Sequence, residues 1–488
     1  MAFSSSQSTT LATSLLNTTL LQLSEHEEDS WRIRDAVQGC QIFGGSASGK
    51  TSGSGAQIAL SFLRNGFGGL VLTASKNERL LWEAYARATG REQDLIIFSP
   101  EHPWRFNFLR YEQEREGESA TLTENLVALF VNALEANRFP GHSTNEAHYQ
   151  NSLRQLLRNG IDLLKLAGKP VSLPDLYKAI STAPLSMEQA RDASWQKYSD
   201  CATYLEEAYR REDGFSAIER NGYAITLDYF LNHFPRLADQ TRSIVVSTFL
   251  SMADGLLRGL FRDLFCGDLN IRPDVTYEGK IIVLDLPVKH YFEIGQYAQI
   301  IFKHLWQQAA EGRKIEDETV PIFLWCNESQ LFVTSYDAVF QSSASAARVC
   351  TVYLTQTISN YQVALEGSTS AAEVLLENIP TVIFHNNTNI TTNQYASTLI
   401  GQKLQRSCLS TAIHRQPTGC DGSGSQFLDC STSCKAVPQV LPMEFSMLKK
   451  GGHHHNFEVD AIVFQSGRKW QGNGGKSYAE ITFKQGKW

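Results

Sequence analysis

The sequence predicts an α/β fold with a mainly parallel central sheet, a phosphate-binding loop on that sheet and a long all-α insertion. Three observations predict it. Short apolar runs alternate with amphipathic stretches over residues 40–99. The segment GGSASGKT (44–51) falls between one such run and one such stretch. Strand-like runs then vanish between about residues 112 and 268. Strands alternating with helices imply right-handed crossovers and parallel pairing.

Taken in order, residues 1–30 are Ser/Thr-rich without a basic N-terminal region. They are expected to be loosely docked and not a signal peptide. The first part of the nucleotide-binding domain is expected over 31–111. In it CQIF (40–43), LVLTA (70–74) and LIIFS (95–99) read as buried strands. Between them GAQIALSFLRNG (55–66) and ERLLWEAYARATG (78–90) read as helices, each stopped by its glycine. The insertion, 112–268, holds apolar residues at helical spacing in 122–136, 148–168 and 192–212, and is long enough to be a domain. The second part, 269–488, restores the strand pattern with KIIVLDLP (280–287), IFLW (322–325), VCTVYLT (349–355) and TVIFH (381–385), and a helix across 292–311. VDAIVFQSGRKW (459–470) and YAEITFKQGKW (478–488) alternate around GNGGK and predict a closing β-hairpin. Residues 402–456 are expected to be a loop-rich, Cys-containing region.

Composition narrows the functions. Of 488 residues, 42% are hydrophobic and 19% charged, which suits a folded core. The net charge of -7 excludes a globally basic surface for nucleic acid, though not a local basic groove. No apolar run reaches the roughly 18 residues that a bilayer requires, so the chain is expected to be cytoplasmic. The nine cysteines accordingly read as thiols. Cys408, Cys420, Cys430 and Cys434 lack the paired C-x2-C spacing of a zinc site, and HHH at 453–455 reads as a polar turn.

The chemistry centres on GGSASGKT, which fits G-x-x-x-x-G-K-[ST] in full, with a strand before it and a helix after it. A Gly/Ser linker has no need of Lys-Thr at that offset. Gly44, Gly45, Ser46, Ala47, Ser48 and Gly49 are small enough for successive backbone N–H groups to curl around an anion, with Ser52 beside them. Lys50 is placed to reach the β- and γ-phosphates of ATP, and the Thr51 hydroxyl to reach Mg2+. IFLWCNESQLF (322–332) supplies the acid that a hydrolase needs at another strand end. The usual pair there is Asp-Glu. Here Asn327 takes the first place, able to accept from a magnesium-bound water but bringing no charge. Glu328 is the expected general base for the attacking water. Gln356, just past VCTVYLT, can sense the γ-phosphate. Arg348, just before that strand, is either a surface ion-pair partner or a finger that reaches a neighbour's nucleotide. Asp285 either supports the site or caps a turn.

The order GGSASGKTSGSG, LVLTASKNE, PWRFNFL, KIIVLDLPV, FLWCNESQLF, ARVCTVYLTQTISNYQVAL and IFHNNTNITTNQYASTLIG resembles the type IV secretion coupling ATPases of the TraD/TraG class, within the FtsK/HerA group of DNA-pumping motors. The resemblance covers most of residues 30–400 and the tail strands. It implies a RecA-like domain with an inserted all-α domain that selects substrate. It also implies a homo-hexameric ring with ATP at subunit interfaces, monomeric without DNA in some settings, which is why a trans Arg348 is expected. The implied function is delivery of DNA, single-stranded and carried with a relaxase-like protein, to a secretion channel during conjugation. Membership of that class commonly brings an N-terminal membrane anchor, which this sequence does not show, so the expectation is a soluble member, one that depends on a separate membrane partner, or one that serves another DNA-handling system. A second reading is a nucleotide-binding adaptor with little hydrolysis that recruits proteins through its α-domain.

Overall fold

The computed structural model describes residues 15–115, 122–135, 146–365, 369–410 and 430–486. Its centre is a nine-stranded sheet in the order β13-β12-β9-β3-β8-β7-β4-β6-β5. The strands are β3 (Cys40–Phe43), β4 (Gly68–Leu72), β5 (Leu95–Phe98), β6 (Ile281–Leu284), β7 (Ile322–Asn327), β8 (Val349–Thr355), β9 (Thr381–Phe384), β12 (Glu458–Gln465) and β13 (Tyr478–Lys484). From β9 to β5 every pairing is parallel. Parallel strands are covered on both faces, which is why CQIF, IIVL and VCTVYLT are buried along their whole length. β12 pairs antiparallel with β9, and β13 with β12, so the predicted tail hairpin closes one edge.

Successive side chains of a strand point to opposite faces and feed two cores. Ile42 and Val71 pack with the helix Ala56–Arg64 and with Trp82 of the helix Asn77–Thr89. Their strand neighbours Phe43 and Leu72 face the other core. Between β5 and β6 the described residues form helices and no strands, among them Thr123–Glu135, Glu146–Leu166 and Asp239–Leu256. The helical part shares its core with the sheet: Phe98 of β5 meets Phe265 edge-on at 5.5 Å between ring centres. Among the described residues no single helix is long and apolar enough to cross a membrane.

The structure corrects four details. Residues 15–30 are docked rather than loose: β1 (Thr19–Gln22) pairs antiparallel with β2 (Ser30–Arg32), and Leu20 and Asp29 are buried. The Asp29 carboxylate accepts from the backbone N–H groups of Gln471 at 2.9 Å and Gly472 at 2.7 Å, tying this end to the tail. Residues 1–14 lie outside the described residues. The predicted helix over 192–212 is two helices, Ala193–Tyr198 and Asp200–Arg210, because the hydroxyl of extended Ser199 caps the second by accepting from Ala202 N–H. The helix expected over 292–311 spans Val288–Gly312 and breaks at Phe292, whose φ is 52°. Within 402–456 the described residues include a strand pair where loop was expected, β10 (Gln402–Ser410) antiparallel to β11 (Cys430–Pro438), and residues 411–429 lie outside the described residues. Cys420 lies outside the described residues, and among those described no group of three or more His, Cys, Asp or Glu could hold a metal ion.

Candidate functional site

The GGSASGKT loop follows β3 at the C-terminal edge of the parallel strands, where open α/β sheets bind ligands. Its start is fixed by both neighbouring strands. Gly44 N–H donates to Thr355 O of β8 at 3.2 Å, and Gly45 N–H donates to Asn386 O just past β9 at 2.9 Å. Ser46 and Ala47 form the exposed crest. Ala47 and Gly49 take left-handed φ values of 55° and 85°, which turn the chain back into a cradle. Gly49 is required twice over, because a Cβ there would also lie 2.6 Å from both methyls of Val459 in β12. The Ser48 hydroxyl is buried beneath the loop without a partner.

Beyond Lys50 and Thr51 the chain does not enter a normal α-helical turn. Thr51–Gly55 forms a wider π-type turn in which Gly55 N–H donates to Lys50 O at 3.0 Å. A Cβ at Gly53 would lie 3.2 Å from Val459, and one at Gly55 3.3 Å from Leu354 of β8. The SGSG segment is therefore small because the helix starts wedged between β8 and the tail hairpin. Ser52 receives a hydrogen bond from Gln485 Nε2 at 2.5 Å, and Gln485 Oε1 accepts from Gly452 N–H at 2.7 Å. Ser54 meets the His385 ring at 2.7 Å, and the other ring nitrogen meets Asp460 O at 3.1 Å. Burial lowers the His385 pKa to about 4, so the ring is neutral at pH 7.

The acid end of the site comes from β7 and β8. Glu328 follows β7 with φ 52° and ψ 49°, an uncommon conformation for a residue with a Cβ. Its carboxylate lies 3.8 Å from Lys50 Nζ, with both side chains largely buried. Burial lowers the Lys50 pKa, and Glu328 pulls it back up. Gln330 Nε2 donates to Glu328 at 2.9 Å, and Gln356 Nε2 lies 3.5 Å from each carboxylate oxygen. Asn387 fixes Gln356 from behind by donating to its carbonyl at 2.7 Å. Lys50, Glu328 and Gln356, distant in sequence, thus converge.

Asn327 sits beside them with a partner the sequence did not suggest. Its Nδ2 donates to Glu78 Oε1 at 3.0 Å, and its Oδ1 is buried without a hydrogen-bond donor. Glu78 opens the helix after β4, and its other oxygen accepts from Ala74 N–H at 2.8 Å. Burial pushes its pKa up to about 7, against the pull of these hydrogen bonds.

Arg348 lies elsewhere. It precedes β8, at the opposite edge of the sheet, with φ 50° and 8% exposure. Its guanidinium donates to the carbonyls of Asp317 at 3.1 Å and Thr319 at 2.6 Å in its own chain. In its own chain the group is thus buried and engaged by backbone rather than being an exposed ion-pair partner. Asp285 pairs with Arg79 at 3.1 Å, and so anchors the helix that carries Glu78. Sequence reading missed Glu78, Gln330, His385 and Gln485. Of these only His385, ending a strand-like run beside the loop, left a signal in the pattern.

No protein-family profile and no curated protein sequence matches this chain. Solved structures do. The bacterial conjugative coupling protein TrwBdeltaN70, in an unbound monoclinic form, superposes with a TM-score of 0.60 over 98% of this chain and 92% of that one, at 13% identity. The chain shares the overall fold of that structure. The plasmid coupling protein TrwB in complex with ADP and Mg2+ matches with a TM-score of 0.58 over 96% of this chain and 91% of that one, at 13% identity. Its complex with the non-hydrolysable ATP analogue ADPNP matches with a TM-score of 0.58 over 98% and 93%, also at 13% identity. At this identity the likeness is one of architecture, a RecA-like sheet with a helical insertion.

Proposed function

We propose that the protein is an ATP-driven coupling protein that delivers DNA, or a DNA–protein complex, to a type IV secretion or conjugation channel. One observation carries the ATPase reading: the loop lysine, Lys50, meets the strand-end acid Glu328 at 3.8 Å, with Gln356 beside that carboxylate. The fold shared with a coupling protein that takes ADP and Mg2+ supports the wider reading.

The backbone of residues 44–49 and the Lys50 ammonium hold the phosphates. Once Lys50 turns to them, Glu328 loses its cation and becomes free to take a proton from water. That water attacks the γ-phosphorus as the bond to the ADP oxygen breaks. The Gln356 amide hydrogen-bonds the γ-phosphate and is positioned to register its loss. The buried Oδ1 of Asn327, without a donor among the described residues, and the Thr51 hydroxyl are the groups that would hold Mg2+ and its water shell. The cation, when bound, would supply positive charge beside the phosphate oxygens. The helical insertion, 112–268, is the part proposed to select substrate. The chain works as a homo-hexamer at the membrane face, held there by partner proteins.

The test is ATP turnover by purified protein with and without single-stranded DNA. DNA-stimulated hydrolysis that disappears in Lys50→Ala and Glu328→Gln is the expected result. Tight ATP binding without turnover under every condition replaces the motor with the adaptor reading. Light scattering with nucleotide and DNA tests the ring, and a strict monomer rejects it.

A further inference from the structure

A hydrolase of this architecture needs negative charge at the end of β7, where this chain carries the amide of Asn327. A carboxyl group that can supply it, raised by burial to a pKa of about 7 and ionised more readily beside a cation, lies on another element. Glu78, 5% exposed, faces Asn327 Nδ2 at 3.0 Å. Only the NH2 side of an amide can donate to an ionised carboxylate, so this contact decides which way the Asn327 amide points. The consequence is visible at the other atom: Oδ1 is turned away from Glu78, buried, with no donor among the described residues. An orphaned buried acceptor of this kind requires an explanation.

Glu78 poses a matching question. Among the described residues it accepts from Ala74 N–H, the Ser75 hydroxyl and Asn327, all neutral donors. Among the described residues no Lys or Arg forms an ion pair with it, although a buried carboxylate is costly without a counter-charge. Closing the first turn of its own helix explains Oε2, which Ala74 N–H satisfies. It does not explain why Oε1 faces the one amide that replaces an acid.

We propose that Glu78 and Asn327 act together as the missing strand-end acid: Glu78 brings the charge and fixes the amide, and Asn327 Oδ1 accepts from the water shell of the divalent cation that accompanies ATP. Glu78 is a positioning residue, acting through Asn327. This rests on the nucleotide-hydrolase reading above and deepens it.

The assignment can be tested by moving the charge across the hydrogen bond. Glu78→Gln removes it but can still accept from Ala74 N–H. The double variant Glu78→Gln/Asn327→Asp restores it on the other partner, with the Gln amide now donating to the Asp. The readouts are ADP affinity with and without Mg2+, by calorimetry, and Mn2+ binding in the presence of ADP, by electron paramagnetic resonance. In the wild type Mg2+ is expected to tighten ADP binding. Glu78→Gln is expected to lose about tenfold of that gain, the effect of roughly one charge-assisted hydrogen bond, with Mg2+-free affinity unchanged. The double variant is expected to recover most of it and to bind Mn2+ again. A Glu78→Gln protein that keeps the full Mg2+ gain, or a double variant that binds Mg2+-free ADP normally yet recovers nothing, overturns the pairing alone. A wild-type chain that binds ADP in neither condition overturns the hydrolase reading and the pairing with it. Thermal melts guard against misfolding: if Glu78→Gln melts well below the wild type, Asn327→Ala, which leaves Glu78 and its helix intact, takes its place and is expected to lose the same Mg2+ gain.

Discussion

The two halves of the candidate site are built by opposite means. The cradle is one continuous stretch of backbone, residues 44–55, bent by positive φ angles and clamped between β8, β9 and the tail hairpin. The acid end is made of side chains from separate segments, Glu78, Asn327 with Glu328, and Gln356, joined by hydrogen bonds between about 3 and 3.5 Å. A backbone cradle admits little substitution, since each position is fixed by a turn or a close approach. A side-chain cluster can pass a charge from one residue to another while its geometry survives. Asn327 is tolerable in the second kind of construction and would have no equivalent in the first.

This contrast predicts how the halves break. The largest loss is expected from Lys50→Ala, which removes charge-assisted bonds worth about 2–3 kcal/mol from the cradle; nucleotide binding, read by calorimetry, should weaken about 100-fold. Glu328→Gln should separate the halves. Turnover falls by about 100-fold as the base is lost, while ATP affinity holds or rises because Lys50 is released from its 3.8 Å partner. Equal losses in both quantities would show that the halves are not separable. Gly49→Ala puts a methyl against Val459 and a Cβ on a left-handed residue; a loss of about 2 kcal/mol in stability is expected, with only partial rescue by Val459→Ala because the backbone strain stays.

Acid should also act on the cradle's support. Burial holds His385 near pKa 4 and His304 near 3, below the ordinary 6.5, so the unfolded chain binds more protons as pH falls below 6.5. Stability from each is therefore fully present at pH 7 and declines by about 2 kcal/mol on reaching pH 5. Denaturant titrations at the two pH values, with His385→Gln showing the smaller drop, check this. The smallest effect on chemistry is expected from Arg348→Ala. Loss of its two carbonyl contacts should lower stability by about 1–2 kcal/mol, and turnover should stay near the wild-type value. A large turnover defect in an otherwise stable variant would return Arg348 to the site.

Legibility followed the same division. The cradle was readable because its chemistry needs fixed residue types at fixed spacing, and strand, loop and helix are adjacent in the chain. The strands were readable because burial on both faces makes them unbroken apolar runs. Glu78 was not readable, because its meaning lies in a contact with Asn327 across 249 positions of sequence. Nor was the fate of Arg348: a lone Arg before a strand has the same pattern whether it faces a neighbour or its own carbonyls. The break at Ser199 escaped because helical periodicity continues across it, and only the capping bond marks the interruption.

The tail hairpin also bears on how the protein is made. The loop at 44–55 leaves the ribosome well before Val459, Asp460 and Gln485, which hold its turn, His385 and Ser52 in place. A nascent chain therefore carries an unfinished phosphate cradle until the tail hairpin has emerged. A product cut short before Glu458 would carry the whole motif and no fitted site, so nucleotide capture becomes a property acquired only once that hairpin is in place.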